Sequence, residues 1–202
     1  MLKNTFKDWL ILLATISIIF FALSCKSRQK TLKIDEVNQS KELELDFPFD
    51  LIGYWKGELE IISGNGEKQI IPMAMLIEET ADSETFGWQL IYNEGDLEDK
   101  RSYLLMTIDK KNGHYQVDED NGIILDAYLF DNKLISTFSV QSSLLTVCYT
   151  FLRDDIVFEV YAGPQKPLHS TGNIKVGDVL IPPVDSYMTS NVQRGVMKRI
   201  RG

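Results

Sequence analysis

From Phe47 onward the chain alternates apolar and polar side chains with a period of two. In the run Gly53 to Ile61, Trp55, Leu59 and Ile61 share one face while Lys56, Glu58 and Glu60 share the other, which is the signature of a half-buried strand. Phe86, Trp88, Leu90 and Tyr92 repeat it against Gly87, Gln89 and Ile91. Further strand-like runs cover 69–77, 103–108, 114–118, 123–130, 133–141, 143–152 and 156–161. Between them stand turn residues: Gly64-Asn65-Gly66, Lys111-Asn112-Gly113, Asp120-Asn121-Gly122, Asp131-Asn132 and Arg153-Asp154-Asp155. Asn-Gly supplies the positive φ angles of a tight hairpin turn. Strands at intervals of roughly eight to twelve residues, with no helical period and no alternation of strand and helix between them, predict an antiparallel meander.

Two glycine or proline positions carry detail. Pro72 lacks a ladder donor and marks a local edge or bulge, and Gly57, beside an indole on the inner face, marks a bend or a close approach of another strand. Residues 163–190 hold Gly163, Pro164, Pro167, Gly172, Gly177, Pro182 and Pro183 and read as a long loop of the kind that is functional or mobile. The tail 191–200 fits a helix through Val192, Val196 and Ile200 and fits a strand equally well. A strand is preferred, because a last strand closing on the first removes the open edges of the sheet. The expected architecture is therefore all-β, an up-and-down β-barrel of about ten strands over 47–202 with a long loop at 163–190.

About ten strands opened by Gly53-x-Trp55-x-Gly57 resemble the calycin superfamily of lipocalins, fatty-acid-binding proteins and nitrobindin-like barrels. The resemblance implies that Trp55 plugs the closed end, with a basic residue of the last strand, Arg194 or Lys198, lying over it. It also implies an interior that takes a small apolar or amphipathic ligand. Candidate lining residues are Trp55, Phe86, Trp88, Leu90, Tyr103, Phe138, Tyr149 and Phe158. The alternative is that these side chains fill a dry core, and a lined void above roughly 300 Å³ decides between the two.

The first residues follow another pattern. Lys3 and Lys7 precede an apolar run from Trp9 to Leu23, about fifteen residues, which is the length of a secretory h-region rather than a membrane span. It ends in Phe21-Ala22-Leu23-Ser24-Cys25, which resembles the lipobox of bacterial lipoproteins, with Ala22 where leucine is usual. That resemblance implies a signal peptide over 1–24, removed in maturation, and a Cys25 carrying acyl chains that hold the protein on a membrane. Lys26 rather than aspartate after the cysteine implies the outer rather than the inner membrane. Residues 25–46, charged and short of large apolar side chains, read as a flexible tether.

Composition narrows the chemistry. Losing Lys3, Lys7 and Asp8 with the signal takes the formal charge from −8 to −9 and disfavours nucleic acid as a partner. With Cys25 acylated, Cys148 has no disulfide partner and reads as a small core residue on a strand. His114 follows a hairpin turn and His169 lies in the 163–190 loop, so no haem ligand is expected, and Asp118 to Gly122 lacks the spacing of a calcium loop. No nucleophile elbow, zinc-protease, phosphate-loop or Cys-x-x-Cys motif is present, so the expectation is a non-enzymatic protein without metal or cofactor. The competing expectation is a filled barrel that docks an envelope protein partner through its 163–190 loop.

Overall fold

The computed structural model describes residues 45–93 and 98–201. The leader, Cys25, most of the tether and the centre of the acidic loop after Tyr92 lie outside the described residues. Each alternating run forms a strand: β1 (Gly53–Ser63), β2 (Lys68–Glu79), β3 (Thr85–Tyr92), β4 (Asp99–Asp109), β5 (His114–Asp118), β6 (Ile124–Phe130), β7 (Lys133–Val140), β8 (Ser143–Phe151) and β9 (Asp155–Pro164). The tail is β14 (Asn191–Arg199), a strand as closure required. Sequential neighbours pair antiparallel, β9 pairs with β14 and β14 with β1, so ten strands close an up-and-down barrel.

The register sets which residues point inward. Trp55 faces Met75 on β2, Met75 faces Leu90 on β3, and Leu90 faces Arg101 on β4, so all four lie on the inner wall. Gly57 is the close approach its position implied: a Cβ there would stand 2.0 Å from the Val196 carbonyl oxygen on β14. Pro72 sits where β3 has just run out, and its carbonyl accepts from Asn93 at 3.0 Å, so its missing N–H has no strand to serve.

One end of the barrel is packed shut. The incoming chain makes a short 3-10 turn, Phe49–Leu51, and sends Phe47 and Leu51 into the core. Phe47 meets the edges of Tyr115 at 5.0 Å and Trp88 at 6.4 Å between ring centroids, while Trp55 donates from Nε1 to the Leu51 carbonyl at 2.9 Å. The cation over Trp55 is Arg199, 4.2 Å from the ring centroid, and it also donates to the carbonyls of Ile52, at 2.9 Å, and Asp50. Arg194 and Lys198, expected in that role, face outward and pair with Glu159 and Asp155. The parity of β14 is the reason: its inward positions are Gln193, Gly195, Met197 and Arg199, and Val196 is an exposed outer residue. Arg199→Ala is expected to lower stability by about 2 kcal/mol in urea unfolding, from the lost cation–π stack and two carbonyls left without their donor.

Residues 163–190 are not an irregular loop. They extend the β9–β14 hairpin into an arm of two small sheets, β10 (His169–Thr171) with β13 (Val184–Ser186) and β11 (Ile174–Val176) with β12 (Val179–Ile181). Gly172 and Asn173, both at positive φ, and Pro182-Pro183 separate the two tiers. The outer tier carries Ile174, Val176, Val179 and Leu180, all exposed. Cys148 is also placed differently from expectation. It pairs with Ile135 and Glu159 on the outer face of β8, half-buried, where desolvation raises its thiol pKa.

Candidate ligand-binding cavity

Above the packed end the inner wall stops touching itself. A cavity of about 540 Å³ opens between β3 and β9 toward the end of the barrel that bears the arm. Its walls are mainly aliphatic and aromatic: Leu90, Leu125, Leu134, Leu145, Val147 and Phe158 are typical. This is the range of volumes that small-molecule sites occupy. The sequence-predicted residues divide by height. Leu90, Tyr103, Phe138, Tyr149 and Phe158 line the cavity, whereas Trp55, Phe86 and Trp88 point inward but lie in the packed core beneath it, off the cavity wall. Two residues apart on a strand fixes the face, and only the register fixes the level.

Alternation brings polar groups to the same wall. On β4 the inward positions are Asp99, Arg101, Tyr103 and Leu105, so the phase that makes Tyr103 a lining residue also turns Arg101 inward. That signal was present in the sequence. Arg101 is tied to Asp99 at 3.1 Å and lies 5.1 Å from the centroid of the Tyr92 ring, while Glu119 follows β5 at the same level. The charged wall residues, Arg101 and Glu119, therefore stand near the mouth. The floor, around Leu90, Ala127, Leu134, Tyr149 and Phe158, is apolar apart from the Tyr149 hydroxyl and that of Ser136, which donates to the Asp126 carbonyl at 2.7 Å.

Burial governs the tyrosines. Desolvation pushes Tyr92 up to about 12, against the smaller downward pull of Arg101, and also raises Tyr103 and the deeper Tyr149. A tyrosine whose folded-state pKa is raised stabilises the fold fully below the unfolded value near 10 and loses that contribution as pH rises toward the folded value. Chemical unfolding at a series of pH values is expected to show stability falling between about pH 10 and 12, with a shallower fall in Tyr92→Phe.

Other titratable groups lie outside the cavity. His114 sits on the outer face of β5, 2.7 Å from Asp126 and stacked on Tyr128, and its hydrogen bond holds the Asp126 carboxyl below the usual range. His169 is exposed on the arm. The carboxylate of Asp118 accepts from the backbone of Asp120 and the amide oxygen of Asn121 from Ile123, so that segment is an exposed, internally bonded turn. Among the described residues no three His, Cys, Asp or Glu side chains converge as a metal cluster.

No family model matches the chain, and no curated protein matches it. Among solved structures it is similar to an S-type phycobiliprotein lyase of Guillardia theta, at a TM-score of 0.51 and 9% identity over 76% of this chain and 90% of that one. It is also similar to a DUF3598-family protein of unknown function from Nostoc punctiforme, at 0.50 and 13% over 75% of this chain, spanning about half (48%) of that longer one. The likeness lies in the barrel, a closed up-and-down sheet of ten antiparallel strands in this chain. Identities this low speak for the fold.

Proposed function

We propose that this protein is a lipid-anchored binding protein of a bacterial cell envelope, which takes a small apolar or amphipathic molecule into its barrel. The observation that carries the reading is the cavity of about 540 Å³, open at one end, with apolar walls and its charged groups gathered near the mouth. A filled core would leave no such space, since protein interiors pack to the density of organic crystals. Burying an apolar ligand in it returns about 25 cal/mol for each Å² removed from water, while Arg101, Glu119 and the tyrosine hydroxyls stay placed for a polar end. The lyase name of the Guillardia theta neighbour belongs to that protein. In this chain the titratable side chains on the cavity wall are Tyr92, Arg101, Tyr103, Glu119 and Tyr149, a set suited to holding a ligand rather than to nucleophile-and-base chemistry.

The anchor in this reading is Cys25, and the membrane is the outer rather than the inner one. The support is the charged start, apolar run and terminal cysteine of the leader. Native mass spectrometry of the protein purified from its own membrane tests both parts. The expected spectrum carries the mass of the acyl groups, absent in Cys25→Ser, and a retained small molecule lost on organic extraction. An unacylated chain sinks the anchor, and a barrel that neither retains a molecule nor takes up Nile red sinks the ligand.

A second reading draws on the arm. Ile174, Val176 and Val179 line one face of its outer tier and Leu180 is exposed on the other, with nothing of the barrel over them. A head that grips an envelope protein would use such a ribbon. Site-specific crosslinking from position 180 in cells is expected under that reading to give one stoichiometric adduct, lost when residues 172–183 are replaced by a Gly-Ser turn.

A further inference from the structure

The floor of the cavity holds more proton donors than acceptors. Trp88 is 1% exposed, and its Nε1–H is the buried side-chain polar atom among the described residues that finds no hydrogen-bond partner. Its ring meets the Tyr149 ring edge to face, 5.4 Å between centroids and 82° between planes. The indole N–H lies near enough to the Tyr149 oxygen to pull its pKa down slightly against the larger effect of burial, without the geometry of a hydrogen bond. Tyr149 itself is 7% exposed and lines the cavity, and no described residue accepts its proton. The indole N–H and the phenolic O–H thus lie side by side at the floor, and neither proton has an acceptor among the described residues.

A native protein seldom leaves such a group unmatched, because an unpaired buried donor costs about 1–3 kcal/mol. Water entering through the mouth can reach this hydroxyl but gains little beside it: Leu90, Ala127, Leu134 and Phe158 offer no polar partner, and the nearby Ser136 hydroxyl is already given to the Asp126 carbonyl. An ionised carboxylate is a worse one, since Arg101, the cation of the cavity wall, stands near the mouth and an unpaired charge at the floor would be stripped of water without compensation. What fits is a neutral oxygen with lone pairs, on a molecule whose remaining surface is apolar.

We propose that the floor of the barrel is a subsite for a neutral hydrogen-bond acceptor, a ketone, ester or similar carbonyl oxygen at the leading end of the ligand, bound by the Tyr149 hydroxyl. The proposal rests on the cavity reading above and adds to it the chemical class of the ligand and its direction: carbonyl end inward, any charged or strongly polar end at Arg101 and Glu119. Trp88 acts as a positioning residue, its N–H turned toward the phenolic oxygen so that the tyrosine proton is the one presented to the ligand.

The test uses the full chain and two probes of matched length, 2-decanone and decane, each competing with Nile red. Tyr149→Phe is expected to weaken 2-decanone about tenfold and to leave decane unchanged or slightly tighter, with thermal melts showing the variant folded. The carbonyl carbon of ¹³C-labelled 2-decanone bound to the wild type is expected downfield of its position in alkane solvent, a readout that needs no variant. If Tyr149→Phe weakens the two probes equally, or neither, or if the bound carbonyl resonates as in alkane, the subsite is refuted while the cavity reading stands. If neither probe nor Nile red enters the wild type, the cavity reading itself fails and takes the subsite with it.

Discussion

Replacing Leu125 and Val147 together by tryptophan is expected to abolish uptake of Nile red, with a loss of at least about 100-fold in affinity and little change in fold. Both residues point inward at mid-height of the cavity, Leu125 from β6 and Val147 from β8, and neither belongs to the fully buried layer beneath it. Two indoles in place of two aliphatic side chains occupy the space a ligand needs while meeting empty volume rather than packed neighbours. Overpacking normally costs 1–3 kcal/mol because there is no room, and here there is room. A hundredfold change corresponds to about 2.7 kcal/mol of binding free energy, roughly what one well-buried apolar side chain is worth. Fluorescence titration checks the affinity, and a thermal melt checks the fold. Undiminished uptake in a well-folded double variant would show that the dye binds elsewhere, the exposed arm being the first place to look.

The largest effect on stability is expected at Gly57. A methyl group there would sit 2.0 Å from the Val196 carbonyl oxygen and 3.0 Å from the Met197 Cα, both backbone atoms of β14 that no rotamer change can move aside. Gly57→Ala is therefore expected to cost about 3 kcal/mol, the upper part of the range for overpacked sites, by prying β1 from β14 where the barrel closes. Gly87→Ala is the control. It lies on a strand too, but its added Cβ would stand 3.6 Å from the nearest atom, the Glu78 Cβ, an ordinary contact, and about 0.5 kcal/mol or less is expected. Urea midpoints for the two variants compare them directly, and equal losses would mean that the close approach at β1 and β14 does not limit stability.

The same two strands show where reading by alternation succeeds and where it fails. In β1 the bulky Trp55, Leu59 and Ile61 all fall on the inner face, so period two gives the right parity. In β14 the apolar Val192, Val196 and the following Ile200 suggest the even positions as inner, and the true inner set is odd: Gln193, Gly195, Met197, Arg199. Apart from Met197, which is fully buried, the inward side there is small or polar for local reasons. Gly195 lies against the Met73 sulfur, 3.2 Å from where its Cβ would be, Gln193 reaches the cavity wall, and Arg199 lies over Trp55. None of these calls for a hydrophobic residue, so the pattern that marks a strand's face elsewhere is inverted here.

The amino-acid sequence by itself determined the class of the protein. Alternation with Asn-Gly and Asp-Asn turns fixed an antiparallel meander, and the open edges of that meander required the tail to return as a strand, because local side-chain periodicity and backbone donor counting are properties of the chain itself. The tertiary structure alone decided which inward residues meet packing and which meet space. Trp88 and Leu90 are two positions apart on one face, yet one is core and the other cavity wall, since the level at which side chains stop filling the barrel depends on the register of all ten strands and on Phe47 and Leu51 entering from outside the sheet.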